Sequence, residues 1–367
     1  MIQQLNESSS GVAGSYYDTG ERNEAVPARY AITSYGADMD VQSLVNRIRE
    51  GDIILPSFQR GYVWKYQQAC RFVESLLLGL PTPSIFFARE ESSEKLLVID
   101  GHQRLTTLLY FFSGRFGDLP DARPFKLVDV RRDYVGKTYE TLTSEDKRSL
   151  GFQILHATIV KQDVPAEQDP SSIYAIFQRL NTGGTSLLPQ EIRAAVYRGP
   201  LNDLLHELNS NKYWRKLLGT DVPDSRMRDQ EIVLRFLALY NSWKDYRQPM
   251  VAFLNTFMVS NRYLRLTPGS ELSRAFLNTV ADIASKIGPE GLRIKTHFNA
   301  AMFDALAVGV ATRLQREPRT ELTADEMTHR WSTLMARPEF IASVSKATAN
   351  ETAVRYRIGS AIDEFAR

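Results

Sequence analysis

One segment combines the end of a strand, a tight turn and the start of a helix with side chains that bind anions. It reads VIDGHQRLTTLLYFF, in which Gly101 permits a turn with positive φ and a helical pattern follows. The first N–H groups of a helix lack intrahelical partners and attract anions. Arg104 can donate to two phosphate oxygens, Gln103 can orient a water or bind a phosphate or base, and Asp100 can hold a metal or polarise a water. The segment therefore predicts an anion site.

The same residues allow a structural interpretation. Asp100 can cap the helix while Arg104 forms an ion pair at the surface. The pattern Asp-Gly-x-x-Arg is weakly specific, so by itself it favours this structural interpretation. Two further segments shift the balance toward ligand binding.

The first is PSFQRGYVW, which connects a short predicted strand to a helix. Gln59 and Arg60 lie in this loop and predict a second cationic contact to the ligand. We expect Arg60 to bind a ligand or a buried partner such as Asp100. Tyr62 and Trp64 can stack on a base or fill the core, and the core is favoured.

The second is FQRLNTGGTSL, a predicted helix followed by a polar, glycine-rich loop. Gly183 and Gly184 can simply end the helix, which is favoured if the loop is taken alone. Asn181, Thr182 and Thr185 add side-chain donors, which suits an anion-binding nest. The loop is no P-loop, because no Gly-Lys-Ser/Thr follows the glycines.

Other reactive residues give weaker signals. Glu191 in the next helix can be a general base, a metal ligand or a partner of the helix dipole, and the last is favoured. The single cysteine, Cys70, fits a partly buried helical position and excludes an internal disulfide. The five histidines are scattered, and only His102 lies inside a motif. The motifs of zincins, zinc ribbons and α/β-hydrolases do not occur.

The predicted elements change character along the chain. Apolar periodicity before residue 200 predicts helices through Val41–Ile48, Cys70, Arg104–Phe112, LTSEDKRSL, Ser171–Leu180 and PQEIRAAVYRG. Strands are predicted at Ile53–Leu55, Ser84–Ala88, Lys95–Ile99, FKLVDV and GFQILHATIVKQ. After Gly199 the patterns are almost entirely amphipathic helices. The sequence therefore predicts an α+β domain over 29–199 and an all-α helical domain over 200–367.

Composition limits the class of protein. The chain of 367 residues has 45 basic and 43 acidic side chains and a net charge of +2, which argues against a strongly basic coating protein. Residues 1–28 are polar and rich in Ser and Gly, which predicts a disordered tail and no secretory signal. No run of roughly 18 apolar residues occurs, so no membrane span is expected. A cytoplasmic location fits these features.

Taken in order, FQRGYVW, VIDGHQRLTTL and FQRLNTGGTSLLPQEIR resemble the N-terminal domain of GmrSD-type modification-dependent restriction systems, which is similar in fold to ParB and sulfiredoxin. The resemblance extends over most of residues 35–367. The family motif D-G-Q-Q-R falls on residues 100–104 and the motif F-Q-R on residues 58–60. The motif N-x-G-G falls on residues 181–184. In this chain His102 replaces the first Gln of the D-G-Q-Q-R motif.

This resemblance implies a domain that binds and often hydrolyses a nucleoside triphosphate with Mg²⁺ in defence against foreign DNA. Asp100, Gln103 and Arg104 would be catalytic. The implied phosphate contacts are Gln59, Arg60, Gly101, His102, Asn181, Thr182, Gly183 and Gly184. His297 and His329 form no compact His/Asn/His cluster, so we expect a nuclease or other effector to act in trans.

A non-enzymatic module that senses a nucleotide or binds DNA is the alternative function. The nucleoside triphosphate is the first expected partner. DNA and a second copy of the chain are further candidates, and a membrane is not expected. Sulfiredoxin chemistry is excluded, because no cysteine lies in the phosphate motif.

Overall fold

The computed structural model describes residues 30–55, 62–90, 93–117, 122–164, 171–180, 187–264, 269–317 and 321–366. The predicted tail, residues 1–28, lies outside these residues. Contacts divide the chain after Val196 into two compact units. The first contains a sheet with helices and the second is helical apart from one short hairpin, which confirms the predicted α+β class.

The first unit is built on a five-stranded mixed sheet. Its strands in chain order are β1 (Ile32–Asp40), β2 (Ile53–Ile54), β3 (Ile85–Arg89), β4 (Leu96–Asp100), β5 (Arg115–Phe116), β6 (Arg123–Pro124) and β7 (Ile154–Gln162). The spatial order of the sheet is β1-β7-β3-β4-β2, while β5 and β6 form a separate ribbon. β3 lies antiparallel to β4 and parallel to β7. β3 is therefore the central strand of the sheet, with β7 on one side and β4 on the other.

The described part of this unit also contains six α-helices. They are α1 (Val41–Arg49), α2 (Tyr66–Leu77), α3 (His102–Ser113), α4 (Ser144–Phe152), α5 (Ser172–Leu180) and α6 (Pro189–Val196). α1 begins where Asp40 accepts a hydrogen bond from the Ser43 N–H at 2.8 Å. Thr143 caps α4 in the same way, with Asp146 as donor, which confirms the cap predicted at residues 143–144. Apolar faces of α1, α2 and α3 pack with the sheet into one core.

The edge strand β1 and the segment FKLVDV differ from the sequence-based prediction, and the short strands β5 and β6 were not predicted. β1 pairs with β7 over its whole length. No strand was predicted there, because most of the β1 side chains are exposed at the edge of the sheet and give no apolar pattern. The strand predicted at FKLVDV is wrong. Phe125 and Leu127 are buried there, but Leu127 bonds to Gly136 and Lys137 in a turn-rich connection.

The second unit consists of helices around a buried central helix. Its elements are α7 (Pro200–Asn209), α8 (Lys212–Leu218), α9 (Arg228–Ser242), α10 (Met250–Asn261), α11 (Gly269–Lys286), β8 (Arg293–Ile294), β9 (His297–Phe298), α12 (Ala300–Arg316), α13 (Ala324–Met335), α14 (Pro338–Ser345) and α15 (Glu351–Ala366). α12 packs against α9, α11 and α15. No helix in the described part of the chain is long and apolar enough to span a membrane.

A buried ion-pair cluster links three of these helices. Asp304 on α12 is fully buried, and its Oδ2 lies 2.6 Å from Nη2 of Arg235 on α9. The same oxygen lies 3.0 Å from Nη2 of Arg357 on α15, which is also fully buried. One carboxylate thus compensates two guanidinium groups away from water, and its loss would leave both charges buried.

We expect Asp304→Ala to lower the free energy of unfolding by about 3–5 kcal/mol, because it removes the carboxylate that pairs with both Arg235 and Arg357. Denaturant unfolding followed by circular dichroism measures this loss. Asp363→Ala, an exposed position on α15, is the matched control and should change stability by less than about 0.5 kcal/mol. Equal losses in the two variants would contradict a structural role for the cluster.

Candidate functional site

The junction between β4 and α3 forms the centre of the predicted site. β4 ends at Asp100, Gly101 adopts a left-handed conformation with φ of 101°, and α3 begins at His102. A Cβ on Gly101 would lie 3.1 Å from both Cγ1 and Cγ2 of Ile85 on the neighbouring strand. The turn therefore needs glycine both for its backbone angle and for space. The strand–turn–helix arrangement predicted from VIDGHQRL is present.

An ion pair closes this turn. Nη2 of Arg104 lies 2.6 Å from Oδ2 of Asp100, and Nη1 donates to the backbone carbonyl of Pro83. The Arg104 side chain is 10% exposed, whereas the Asp100 side chain is 42% exposed. Asp100 does not cap α3, because the helix start has no side-chain cap. The structure thus combines the ion pair of the structural interpretation with a buried arginine and an uncapped helix end.

These contacts limit the number of hydrogen bonds that Arg104 can donate to a ligand. A guanidinium carries five N–H donors, and the contacts to Asp100 and Pro83 use two of them. A phosphate at the start of α3 would therefore share Arg104 with Asp100. The half-exposed carboxylate remains on the surface of the site.

Gln103 connects the start of α3 to the chain that follows Gly61. Its Oε1 accepts hydrogen bonds from the backbone N–H groups of Val63, at 3.0 Å, and Trp64, at 3.2 Å. Sequence reasoning missed these partners, because backbone groups carry no side-chain signal. The contacts bring residues 62–64 beside the first turn of α3.

Tyr62 and Trp64 pack as core residues, as favoured from the sequence. Tyr62 contacts the rings of Tyr110 and Phe116, and Trp64 packs edge-on against Phe72. Burial raises the pKa of Tyr62 to about 12, despite a hydrogen bond to Thr107. The phenol is therefore neutral at physiological pH. Both rings pack against the hydrophobic core of the sheet domain.

His102 occupies the first position of α3. Its Nδ1 is buried and has no hydrogen-bond partner among the described residues. Burial lowers the pKa of the imidazole, since the charged form loses hydration. A neutral imidazole thus lies at the positive end of the helix dipole, where a cation would be disfavoured.

Six predicted site residues lie outside the described residues. They are Gln59, Arg60, Asn181, Thr182, Gly183 and Gly184. Their roles stay predictions. The structure does place α5, which ends at Leu180, against β4, the strand that carries Asp100.

Helix α6 adds buried polar groups that the sequence analysis weighed only in part. Glu191 is fully buried, and its Oε2 accepts the N–H of Leu188 at 2.5 Å, as expected for a carboxylate at a helix N-terminus. Gln190 is fully buried and Arg193 is 1% exposed, and Arg193 donates to Gln190 at 3.2 Å. Gln190 was not predicted, because a glutamine in a short helical pattern gives no burial signal.

The first unit is thus a small mixed-sheet domain with a glycine junction that presents a helix start beside a buried arginine. Residues 41–198 match the family model described as the N-terminal domain of the GmrSD restriction endonuclease. The match covers less than half of the chain and confirms the predicted resemblance for this segment. The family suggests a component of a restriction system.

One curated relative supports no further assignment. It is an uncharacterized protein of Methanocaldococcus jannaschii, 28% identical over 114 residues. The alignment covers 24% of this chain and 20% of that relative, so the chain spans about one fifth of the relative's length.

We expect Gly101→Ala to cost about 1–3 kcal/mol of stability, because it adds backbone strain and a close contact with Ile85. Thermal or denaturant unfolding measures the cost. Gly114→Ala is the control: it also has positive φ, but a Cβ there meets nothing within 4 Å. A cost at Gly101 no larger than at Gly114 would argue against the close packing of this turn.

His102 predicts a pH dependence of stability. Because its folded pKa lies below the unfolded value, the unfolded chain binds more protons in this range, and stability falls as the pH drops below about 6.5. His102→Gln should make the fall from pH 7.5 to pH 5 shallower in denaturant unfolding. His329→Gln, at an exposed position, is the matched control. An unchanged slope in His102→Gln would refute the prediction.

Proposed function

We propose that this chain is a nucleoside-triphosphate-binding regulatory component of a restriction-type defence system that acts with an effector in trans. The family match over residues 41–198 supports the defence assignment. The start of α3 supports the nucleotide. The DNA-cutting step would belong to the effector.

The observation that carries the proposal is the uncapped start of α3 beside Arg104. Gly101 precedes the helix, and no side chain among the described residues caps it, so the first N–H groups of this 12-residue helix are suited to donate hydrogen bonds to an external anion. Arg104 adds a positive charge that is fixed by Asp100 and Pro83. Oriented N–H groups, together with a cation that the phosphate would share with Asp100, stabilise a phosphate.

The remaining phosphate contacts are assigned from the family motifs. Arg60 with Gln59, and the loop Asn181–Gly184, would complete the pocket around the phosphates. His102, next to the helix start, would contact the phosphate chain or the base. These assignments rest on the resemblance and on the position of α3.

Mg²⁺ would accompany the nucleotide. Among the described residues, no group of three or more His, Cys, Asp or Glu side chains is placed to hold a metal. Mg²⁺ commonly binds through one or two carboxylates together with substrate phosphates. Asp100, with its half-exposed carboxylate, fits that limited role.

Hydrolysis would require a positioned water near the terminal phosphate. Asp100 would orient this water and accept its proton as it attacks the terminal phosphorus. The bond from that phosphorus to the bridging oxygen would break, and the nucleoside diphosphate would leave, while Arg104 and the helix N–H groups stabilise the charge on the phosphoryl oxygens. Loss of a general base typically slows such a step by about 10²–10⁴-fold.

A specific observation favours a second candidate, binding without turnover. The Oδ2 of Asp100 already accepts a hydrogen bond from Arg104 at 2.6 Å, so one of its two oxygens is occupied before any water binds. The domain would then sense a nucleotide, or bind DNA phosphates, and signal to its partner.

A thermal-shift screen with ATP, GTP, CTP and UTP in the presence of Mg²⁺ tests the proposal, because specific binding raises the melting temperature by mass action. We expect one nucleotide to give a clear shift. No shift with any of the four would refute nucleotide binding. Binding that weakens steeply with salt on added DNA would support a phosphate-contacting surface.

Asp100→Asn separates turnover from binding. The amide oxygen can still accept the Arg104 hydrogen bond but no longer balances its charge. We therefore expect a folded protein with a lower melting temperature that still binds nucleotide, while phosphate release falls at least about 100-fold. Asp133→Asn, at an exposed position of the same unit, is the control. Undiminished phosphate release from Asp100→Asn would exclude Asp100 as the base, and wild-type binding without release would favour the second candidate.

A further inference from the structure

The side-chain oxygen of Gln103 is fully committed to the backbone. An amide oxygen has two lone pairs, and the Oε1 of Gln103 accepts from both Val63 N and Trp64 N. Residues 62 and 63 belong to no helix or strand, so no regular ladder fixes them. The hydrogen bonds to the Gln103 oxygen therefore hold this part of the backbone in place.

A second connection joins the same two segments. Thr107 Oγ1 donates to the backbone oxygen of Gln103 at 2.7 Å, and it lies 2.6 Å from the Tyr62 hydroxyl. Threonine has a single hydroxyl proton, which is used toward Gln103. Tyr62 must therefore donate its own proton to Thr107. Residue 103 is bonded on its side chain and, through Thr107, on its backbone.

We propose that Gln103 is a positioning residue: its amide oxygen holds residues 63–64 against the first turn of α3, beside the Asp100–Arg104 pair. The inference rests on the proposed nucleotide site. It changes the role expected for Gln103, because an oxygen with two backbone donors is not available to orient a catalytic water. The side chain instead fixes the position of the Val63 and Trp64 backbone against the start of α3.

Fixing this backbone matters for a phosphate site. Charged contacts must be held within about 0.5 Å of their productive positions to be effective. In the sequence, Val63 comes three residues after Arg60. A loosened residue 63–64 connection would therefore weaken nucleotide binding even though Gln103 touches no ligand.

The test uses substitutions that separate the oxygen from the nitrogen of the amide. Gln103→Glu keeps an oxygen that accepts both N–H bonds and removes the amide donor. Gln103→Met keeps the length of the side chain and removes both functions. Tyr62→Phe removes the second connection and leaves the Gln103 side chain intact. Gln67→Ala, an exposed position on α2, is the control.

Hydrogen exchange of the full-length protein without nucleotide is the primary measurement. We expect the amides of Val63 and Trp64 to exchange at least about tenfold faster in Gln103→Met than in the wild type. Gln103→Glu and Gln67→Ala should exchange like the wild type. Equal exchange in Gln103→Met and wild type, or fast exchange in Gln103→Glu, would overturn the proposal.

Nucleotide affinity supplies the second measurement. We expect Gln103→Met and Tyr62→Phe to weaken binding in the same direction, by about tenfold and about threefold. Loss in Gln103→Met with unchanged affinity in Tyr62→Phe would assign Gln103 a direct ligand contact and overturn the positioning role. If the wild type binds no nucleotide, the proposed function fails, while the exchange measurement still decides whether the oxygen fixes residues 63–64.

Discussion

The ion pair between Asp100 and Arg104 determines the shape of the β4–α3 junction. Arg104 is buried, so its charge requires a partner within reach, and Asp100 four residues earlier supplies it. Forming this pair requires the chain to turn sharply between the two residues, and the positive φ of Gly101 allows that turn. Gly101 also occupies the N-cap position, and because it has no side chain, no side-chain acceptor caps α3 among the described residues.

A comparison with the helical unit clarifies why this pair suggests function. The Asp304 side chain has no exposed surface and lies between Arg357, which is fully buried, and Arg235, which is 11% exposed, so its role there is to compensate charge away from solvent. Asp100 shares the same chemistry, but nearly half of its side chain faces solvent. A buried arginine with a half-exposed carboxylate can exchange part of its interaction with an incoming anion, whereas a sealed cluster cannot.

Sequence patterns predicted the elements whose apolar residues recur on one face. The helices α1, α2 and α3 follow such patterns, and the turn at Gly101 follows from residue type. β1 was missed because an exposed edge strand lacks the alternation that marks a buried one. FKLVDV was wrong because burial of Phe125 and Leu127 does not require a strand.

For the site, the sequence predicted the residues that lie together in one segment but not their neighbours from other parts of the fold. The residues 100–104 were found because their side chains carry the chemistry and lie together in the sequence. The backbone partners of Gln103, the carbonyl of Pro83 and the side chain of Ile85 were not found, because they reach the junction only through the sheet and the core. A neighbour that contributes only backbone atoms or methyl groups cannot be predicted from a single sequence, because its residue type does not indicate the contact.

The position of Arg104 also links the proposed ligand site to Asp100. A triphosphate bound at the start of α3, as proposed, would compete with Asp100 for the N–H donors of one guanidinium. Two anionic groups beside one arginine repel each other, and Mg²⁺, which binds carboxylates together with phosphates, would suit the space between them. Asp100 would then serve the nucleotide through the metal, whereas without a metal the shared arginine alone would have to balance both anions.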